Sequence, residues 1–145
     1  AKLLHVGDGP ARGRLEQRAD GRVVFAGYHR GDDLADLYAA ADVFAFPSLS
    51  ETFGNVVLEG MASGLPAIGF DAPGPRDVIR HGQTGFVVPE ISASGLAAAM
   101  QELGENGQAR SGMSRTARAF AERQTWDAIN QSVRDRYLEV IGQHG

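Results

Sequence analysis

Along the chain, short apolar runs alternate with stretches whose apolar residues recur at three- or four-residue intervals. The runs fall at residues 2–6 (Lys2-Leu3-Leu4-His5-Val6), 22–27, 42–46 and 67–70, and a last one follows the tight turn within 82–89. Each is bounded by Gly, Pro or Asp and reads as a strand. Between them Pro10 is placed to open a helix reaching Ala19, and Gly31-Asp32-Asp33 opens one over 34–41. A short buried helix follows Phe46, and a turn with a shorter helix occupies 71–79. Ser92 precedes a helix over 95–103, residues 104–112 read as a loop, and 113–123 as a helix. Thr125-Trp126-Asp127 caps a final helix reaching about Ile141, on which Trp126, Ile129, Val133, Tyr137 and Val140 share one face as core packing.

Strands alternating with amphipathic helices predict an α/β fold, a parallel sheet with helices on both faces. A chain of 145 residues is long enough for one such domain with a real core. Ligands of these folds sit beyond the strand C-termini, where the loops after Gly27, Phe46 and Phe70 are expected to gather.

The most informative of these loops leads into the buried helix: Phe46-Pro47-Ser48-Leu49-Ser50-Glu51-Thr52-Phe53-Gly54-Asn55-Val56-Val57-Leu58-Glu59-Gly60-Met61-Ala62-Ser63-Gly64-Leu65-Pro66. Ser50 or Thr52 is the expected N-cap, and Gly64 before Leu65-Pro66 is a stop signal. On a helical wheel Phe53, Val56, Val57, Gly60 and Met61 share a face, with Asn55 and Glu59 opposite and Glu51 just ahead of the first turn. At about 1.5 Å per residue the two carboxylates stand roughly 10 Å apart along the axis, with free backbone N–H groups between. A diphosphate suits the helix N-terminus. Carboxylates on either side of it accept hydrogen bonds from vicinal hydroxyls, so a sugar at one end and a ribose at the other would match.

Composition narrows the picture. A net charge of −4 argues against a nucleic-acid binder or a cationic membrane-surface module. No apolar run approaches the length of a transmembrane segment and no signal peptide is visible. With no cysteine there is neither a disulfide framework nor a thiolate metal site, which fits a reducing cytoplasm. Gly7-x-Gly9 is a poor dinucleotide fingerprint, because the next glycine, Gly13, falls one residue late and Pro10 occupies the turn. Asp32 and Asp33 read as helix-start carboxylates; without a third ligand no metal site is assigned, and no cofactor is expected.

The run Pro-Ser-x-x-Glu-Thr-Phe-Gly-Asn, followed by Leu-Glu-Gly-Met-Ala-Ser-Gly-Leu-Pro, resembles the signature of retaining glycosyltransferases of family 4, also called group 1. Their hallmark pair of glutamates, seven residues between them, is Glu51 and Glu59 here. The resemblance covers nearly the whole chain. It implies a GT-B fold, of which residues 1–145 would be the Rossmann-like C-terminal half that binds the nucleotide-sugar donor. It also implies that the acceptor-binding domain, and the first strand and helix of the donor domain, would precede this sequence. The chain alone is then expected to be inactive. Any membrane association would come through the absent domain.

By resemblance Glu59 holds the ribose hydroxyls and Glu51, the residue assigned to catalysis, contacts the donor sugar. Thr52 and the backbone N–H groups of Phe53, Gly54 and Asn55 meet the sugar or diphosphate. The loop over 28–30 would lie against the nucleobase, with His29 read as an exposed loop residue. Pro73 and Asp77 depart from the family's usual glycine and glutamate, and Arg76 has two readings, contact with an anion or, preferred, an exposed arginine beside Asp77 that needs no such role. The Glu-Thr-Phe-Gly-Asn variant looks most like mannosyltransferases using GDP-mannose, with a UDP-sugar as the alternative donor. A non-catalytic nucleotide-sugar-binding or interaction module, or a sugar-nucleotide epimerase of related fold, are the other readings. Finally, a missing central strand would leave two buried sheet edges, so residues 3–6 and 43–46 are expected to pair directly.

Overall fold

The computed structural model describes residues 1–49 and 54–125, together with residues 128, 130, 131, 134 and 135. The chain forms two compact units, Ala1–Ala41 and Asp42–Gly145.

The first unit is a β–α–β–α segment: β1 (Leu3–Val6), α1 (Arg12–Arg18), β2 (Val23–Gly27) and α2 (Gly31–Ala39). β1 and β2 run parallel, with Leu3 opposite Val23 and His5 opposite Phe25, and the register slips between His5 and Val6. Pro10 does not start α1. The Arg12 N–H bonds the Gly9 carbonyl at 3.0 Å, which closes a turn with proline in its second position, and the helix follows. Asp32 and Asp33 occupy the first turn of α2, where their charge opposes the helix dipole.

The second unit holds β3 (Phe44–Phe46), α3 (Asn55–Ala62), β4 (Ala67–Phe70), α4 (Pro75–Val78), β5 (Gly85–Val88), α5 (Ala93–Glu105) and α6 (Gly107–Ala121). Its three strands form a parallel sheet in the order β3-β4-β5. β4 is central and wholly buried, and alternation along it divides the core. Ala67 joins Val57, Met61, Ile79, Ala117 and Phe120. Ile68 and Phe70 instead join Val88 and Leu103. Helices thus cover both faces of this sheet, as the apolar pattern predicts.

Two expectations are corrected. The expected ladder between residues 3–6 and 43–46 is not formed: β1 bonds to β2, and β3 to β4, in separate sheets. The expectation assumed that both strand edges were buried. Leu3, Leu4 and Val6 are in fact exposed, and a wet edge satisfies its backbone groups with water at little cost. The stretch 104–112 is helical rather than a loop, apart from one residue. α5 runs to Glu105, and Asn106 caps α6 with its side-chain oxygen, accepting the Ala109 N–H at 3.0 Å. The glycines that suggested a loop, Gly107 and Gly112, lie within α6. Thr125 caps as expected, accepting the Ala128 N–H at 3.2 Å. The apolar stripe assigned to the final helix lies outside the described residues.

Candidate functional site

α3 begins where the chain leaves the C-terminal end of β3 and turns back across the sheet. Its N-cap is Gly54, with φ of 70° and ψ of 18°, and not Ser50 or Thr52. A left-handed residue at this point reverses the chain direction over one position, which glycine does without a Cβ penalty. Gly54 accepts the Leu58 N–H at 2.9 Å. The helical ladder therefore starts there, and the N–H groups of Asn55, Val56 and Val57 have no acceptor inside the helix.

The buried face is Val57, Gly60 and Met61. An added methyl on Gly60 would stand 2.9 Å from the Phe44 ring, so glycine is what lets α3 lie close on β3. Asn55 and Glu59, one turn apart, are exposed on the opposite side. The Glu59 carboxylate enters no ion pair among the described residues. The helix ends as the sequence indicates. Gly64, with φ of 83°, donates to the Met61 carbonyl at 2.9 Å, and Leu65 to that of Gly60 at 3.1 Å, the paired bonds of a Schellman stop. Ser114 on α6 donates to the Gly64 carbonyl at 2.6 Å and ties this end down.

Of the residues singled out in the sequence, Gly54, Asn55 and Glu59 stand together on the first two turns of α3. Glu51, Thr52 and Phe53 lie outside the described residues. The sequence reading weighed the 71–79 loop only through Pro73 and an anion contact by Arg76 and assigned it no site residue, yet that loop walls the helix entrance. A methyl on Gly54 would stand 3.0 Å from both the Gly74 carbonyl oxygen and the Val78 side chain. Gly74 itself takes φ of 90°, and its N–H donates to the Asp77 carboxylate at 3.1 Å. Asp77 therefore acts locally as a turn clamp. The signal for this loop was the Gly74-Pro75 pair, which marks a sharp turn into a helix start.

In the first unit the loop after β2 carries side-chain contacts of its own, and His29 is not the exposed residue expected. His29 is half-buried, with Nε2 3.0 Å from the Ala26 carbonyl oxygen. Arg30 lies 4.9 Å over the Tyr28 ring and bonds its hydroxyl. Among the described residues there is no group of three or more metal-ligating side chains. Nor is any helix of the described residues long and apolar enough to cross a membrane.

A parallel sheet covered on both faces, with a helix starting at its C-terminal edge, defines an α/β protein of the kind whose ligands bind at that edge. Residues 1–106 match the family model described as glycosyl transferases group 1, and the chain belongs to that family. It is 36% identical to sulfoquinovosyl transferase SQD2 of Arabidopsis thaliana across 97% of its length. It is 49% identical over 61% of its length to a GDP-mannose-dependent alpha-mannosyltransferase of Mycobacterium tuberculosis. Among solved structures it is similar to Anabaena HepE in complex with UDP-glucose, with a TM-score of 0.76, 27% identity and 98% of the chain covered. The fold is that of the GT-B glycosyltransferases. The chain spans 29% and 23% of the two curated relatives, and 41% of the HepE chain.

Proposed function

We propose that this chain is the donor-binding part of a retaining glycosyltransferase that transfers a hexose from a nucleotide sugar. The observation that carries the reading is the entrance of α3. Helix N–H groups with no acceptor inside α3 stand at the sheet's C-terminal edge, and an exposed Glu59 stands about one turn further along. The diphosphate sits on the N-terminus, where orphan donors and the dipole favour an anion. Glu59 accepts hydrogen bonds from the ribose hydroxyls. Glu51 contacts the hydroxyls of the donor sugar and is the residue assigned to catalysis. Thr52 and the backbone N–H groups of Phe53, Gly54 and Asn55 complete the cradle. As the glycosidic bond breaks, negative charge grows on the departing diphosphate, and fixed N–H donors lower that barrier because they need no reorganisation.

The donor proposed is GDP-mannose, which fits the Glu-Thr-Phe-Gly-Asn run and the GDP-mannose dependence of the mycobacterial relative. The HepE complex with UDP-glucose favours a UDP-sugar as the second reading. Calorimetric titration with GDP and UDP tests both. Glu59→Gln should weaken nucleoside diphosphate binding by about 1–3 kcal/mol, the cost of losing a charged hydrogen-bond acceptor. Unchanged affinity would remove Glu59 from the ribose.

A further inference from the structure

β5 is the outer strand in the order β3-β4-β5, and an open strand edge is a template for pairing unless something closes it. On its inner side the carbonyls of Thr84 and Val88 accept the N–H groups of Ala67, at 3.1 Å, and Asp71, at 2.9 Å. Alternation along the strand therefore turns the backbone groups of Gly85 and Val87 outward. The turn before the strand takes two of them. The Gly85 carbonyl accepts the Gly82 N–H at 2.8 Å. The Val87 N–H donates to Nδ1 of His81 at 3.1 Å, with the imidazole 5.4 Å from the Phe86 ring.

The two closures differ in chemistry. A backbone carbonyl accepts at any pH. The turn is held in the same way: the Arg80 carbonyl accepts the N–H groups of Gln83 and Thr84 at 2.9 Å, and the buried Thr84 hydroxyl accepts the Arg80 N–H at 2.9 Å. An imidazole accepts only through an unprotonated nitrogen, and it is the side chain that takes up its second proton between about pH 8 and 5. His81 is exposed, so solvent supplies that proton. Among the described residues no carboxylate forms an ion pair with it. β5 itself has no titratable side chain. The charged groups of the neighbouring segments are engaged elsewhere. Arg80 lies 4.6 Å over the Phe120 ring, Arg115 on α6 bonds the Ser111 hydroxyl at 3.0 Å, and Arg76 and Asp77 on α4 stand 3.9 Å apart.

We infer that His81 is a proton-sensitive latch on the outer edge of this sheet: the neutral ring closes the Val87 N–H, and the protonated ring releases it. A proton on Nδ1 sets one N–H against another, so the ring turns away. The backbone bonds of the turn do not titrate and stay in place. Acid thus opens one position on the edge without unfolding the strand, and the freed N–H is available to water or to the carbonyl of an added strand.

The test is hydrogen exchange followed by NMR on the nitrogen-15-labelled chain at about pH 7.5 and 5.5, each rate divided by that of an unstructured peptide at the same pH. In wild type the protection of Val87 should fall about twofold to tenfold on acidification, the worth of one net hydrogen bond, while that of Gly82 stays constant. At the higher pH the ring nitrogen shifts should show the proton on Nε2 and Nδ1 bare. His81→Ala should lower Val87 protection to the same level at both pH values. Wild-type Val87 protection that ignores pH, or a proton found on Nδ1 at the higher pH, overturns the inference. So does Val87 protection in His81→Ala equal to that of wild type at the higher pH, or an acid-induced fall that survives in the variant. A parallel fall at Gly82 also overturns it, because the whole turn would then be loosening.

Discussion

Gly54 and Gly74 face each other across the entrance of α3, so closely that a methyl on the first would stand 3.0 Å from the carbonyl oxygen of the second. Each takes a positive φ, 70° and 90°. Gly54 is thereby packed against the backbone of the loop leaving β4. Gly54→Ala meets two penalties together, a left-handed backbone carrying a Cβ and a contact tighter than ordinary packing. It should destabilise the protein by about 1–3 kcal/mol in urea unfolding. Nucleoside diphosphate binding should fall as well, at temperatures where the variant stays folded.

The same substitution near the C-terminal end of α5 should act in the opposite direction. Gly104 is helical, and a methyl there meets nothing within 4 Å. Gly104→Ala should stabilise by about 0.5–1 kcal/mol through helix propensity. Read by the same unfolding measurement, a destabilised Gly104→Ala would show that this part of α5 packs differently.

Gly60→Ala separates packing from backbone strain, because Gly60 has ordinary helical geometry but an added methyl would stand 2.9 Å from the base of the Phe44 ring. The clash is with ring atoms near the main chain, which have little room to swing away. A loss of about 1–3 kcal/mol is expected. A further truncation, Phe44→Ala in the Gly60→Ala background, should recover less than additive loss.

How much of this was legible follows from where the information resides. Strand positions were readable because short apolar runs bounded by glycine and proline leave few alternatives, and 67–70 matches β4 to the residue. The stop of α3 at Gly64 was readable because left-handed glycine followed by an apolar residue and proline has few other uses. The N-cap was not. Ser50 and Thr52 carry side chains that cap helices in isolation, but the cap is a glycine chosen by tertiary approach to Gly74. The 104–112 segment was misread for a related reason. Glycine content suggested a loop, whereas burial of Leu103 in one core cluster and of Ala117 and Phe120 in the other decided the outcome.

Asn106 joins α5 to α6 and is the hinge of that correction. Its side-chain oxygen accepts the Ala109 N–H, while its own N–H donates to the Glu102 carbonyl at 3.0 Å. Asn106→Ala keeps the second bond and loses the first, so a cost of about 1 kcal/mol is expected. Asn106→Asp keeps the acceptor and adds a charge favourable at a helix start, and should be neutral or stabilising. If alanine and aspartate behave alike in thermal unfolding, the cap is not what holds α6 at Gly107.

The assignment of Glu59 to the ribose can be tested without relying on any single loss of affinity. Glu59 is exposed, so Glu59→Gln should leave stability within about 0.5 kcal/mol of wild type. A change in binding can then be attributed to the ligand. The nucleotide offers the matching change, since a 2′-deoxyribose removes one of the two hydroxyls that a carboxylate would bridge. Wild-type protein should bind the deoxynucleoside diphosphate less well than the ribonucleotide. If the lost energy belongs to a contact between Glu59 and that hydroxyl, Glu59→Gln should weaken deoxynucleotide binding much less than ribonucleotide binding. The two losses together form a double-mutant cycle, and a coupling of about 0.5–3 kcal/mol is expected for groups in direct contact. Additive effects would mean that Glu59 and the ribose act on affinity separately. If the carboxylate instead acted only through its charge near the diphosphate, Glu59→Gln would strengthen binding of both nucleotides rather than weaken it.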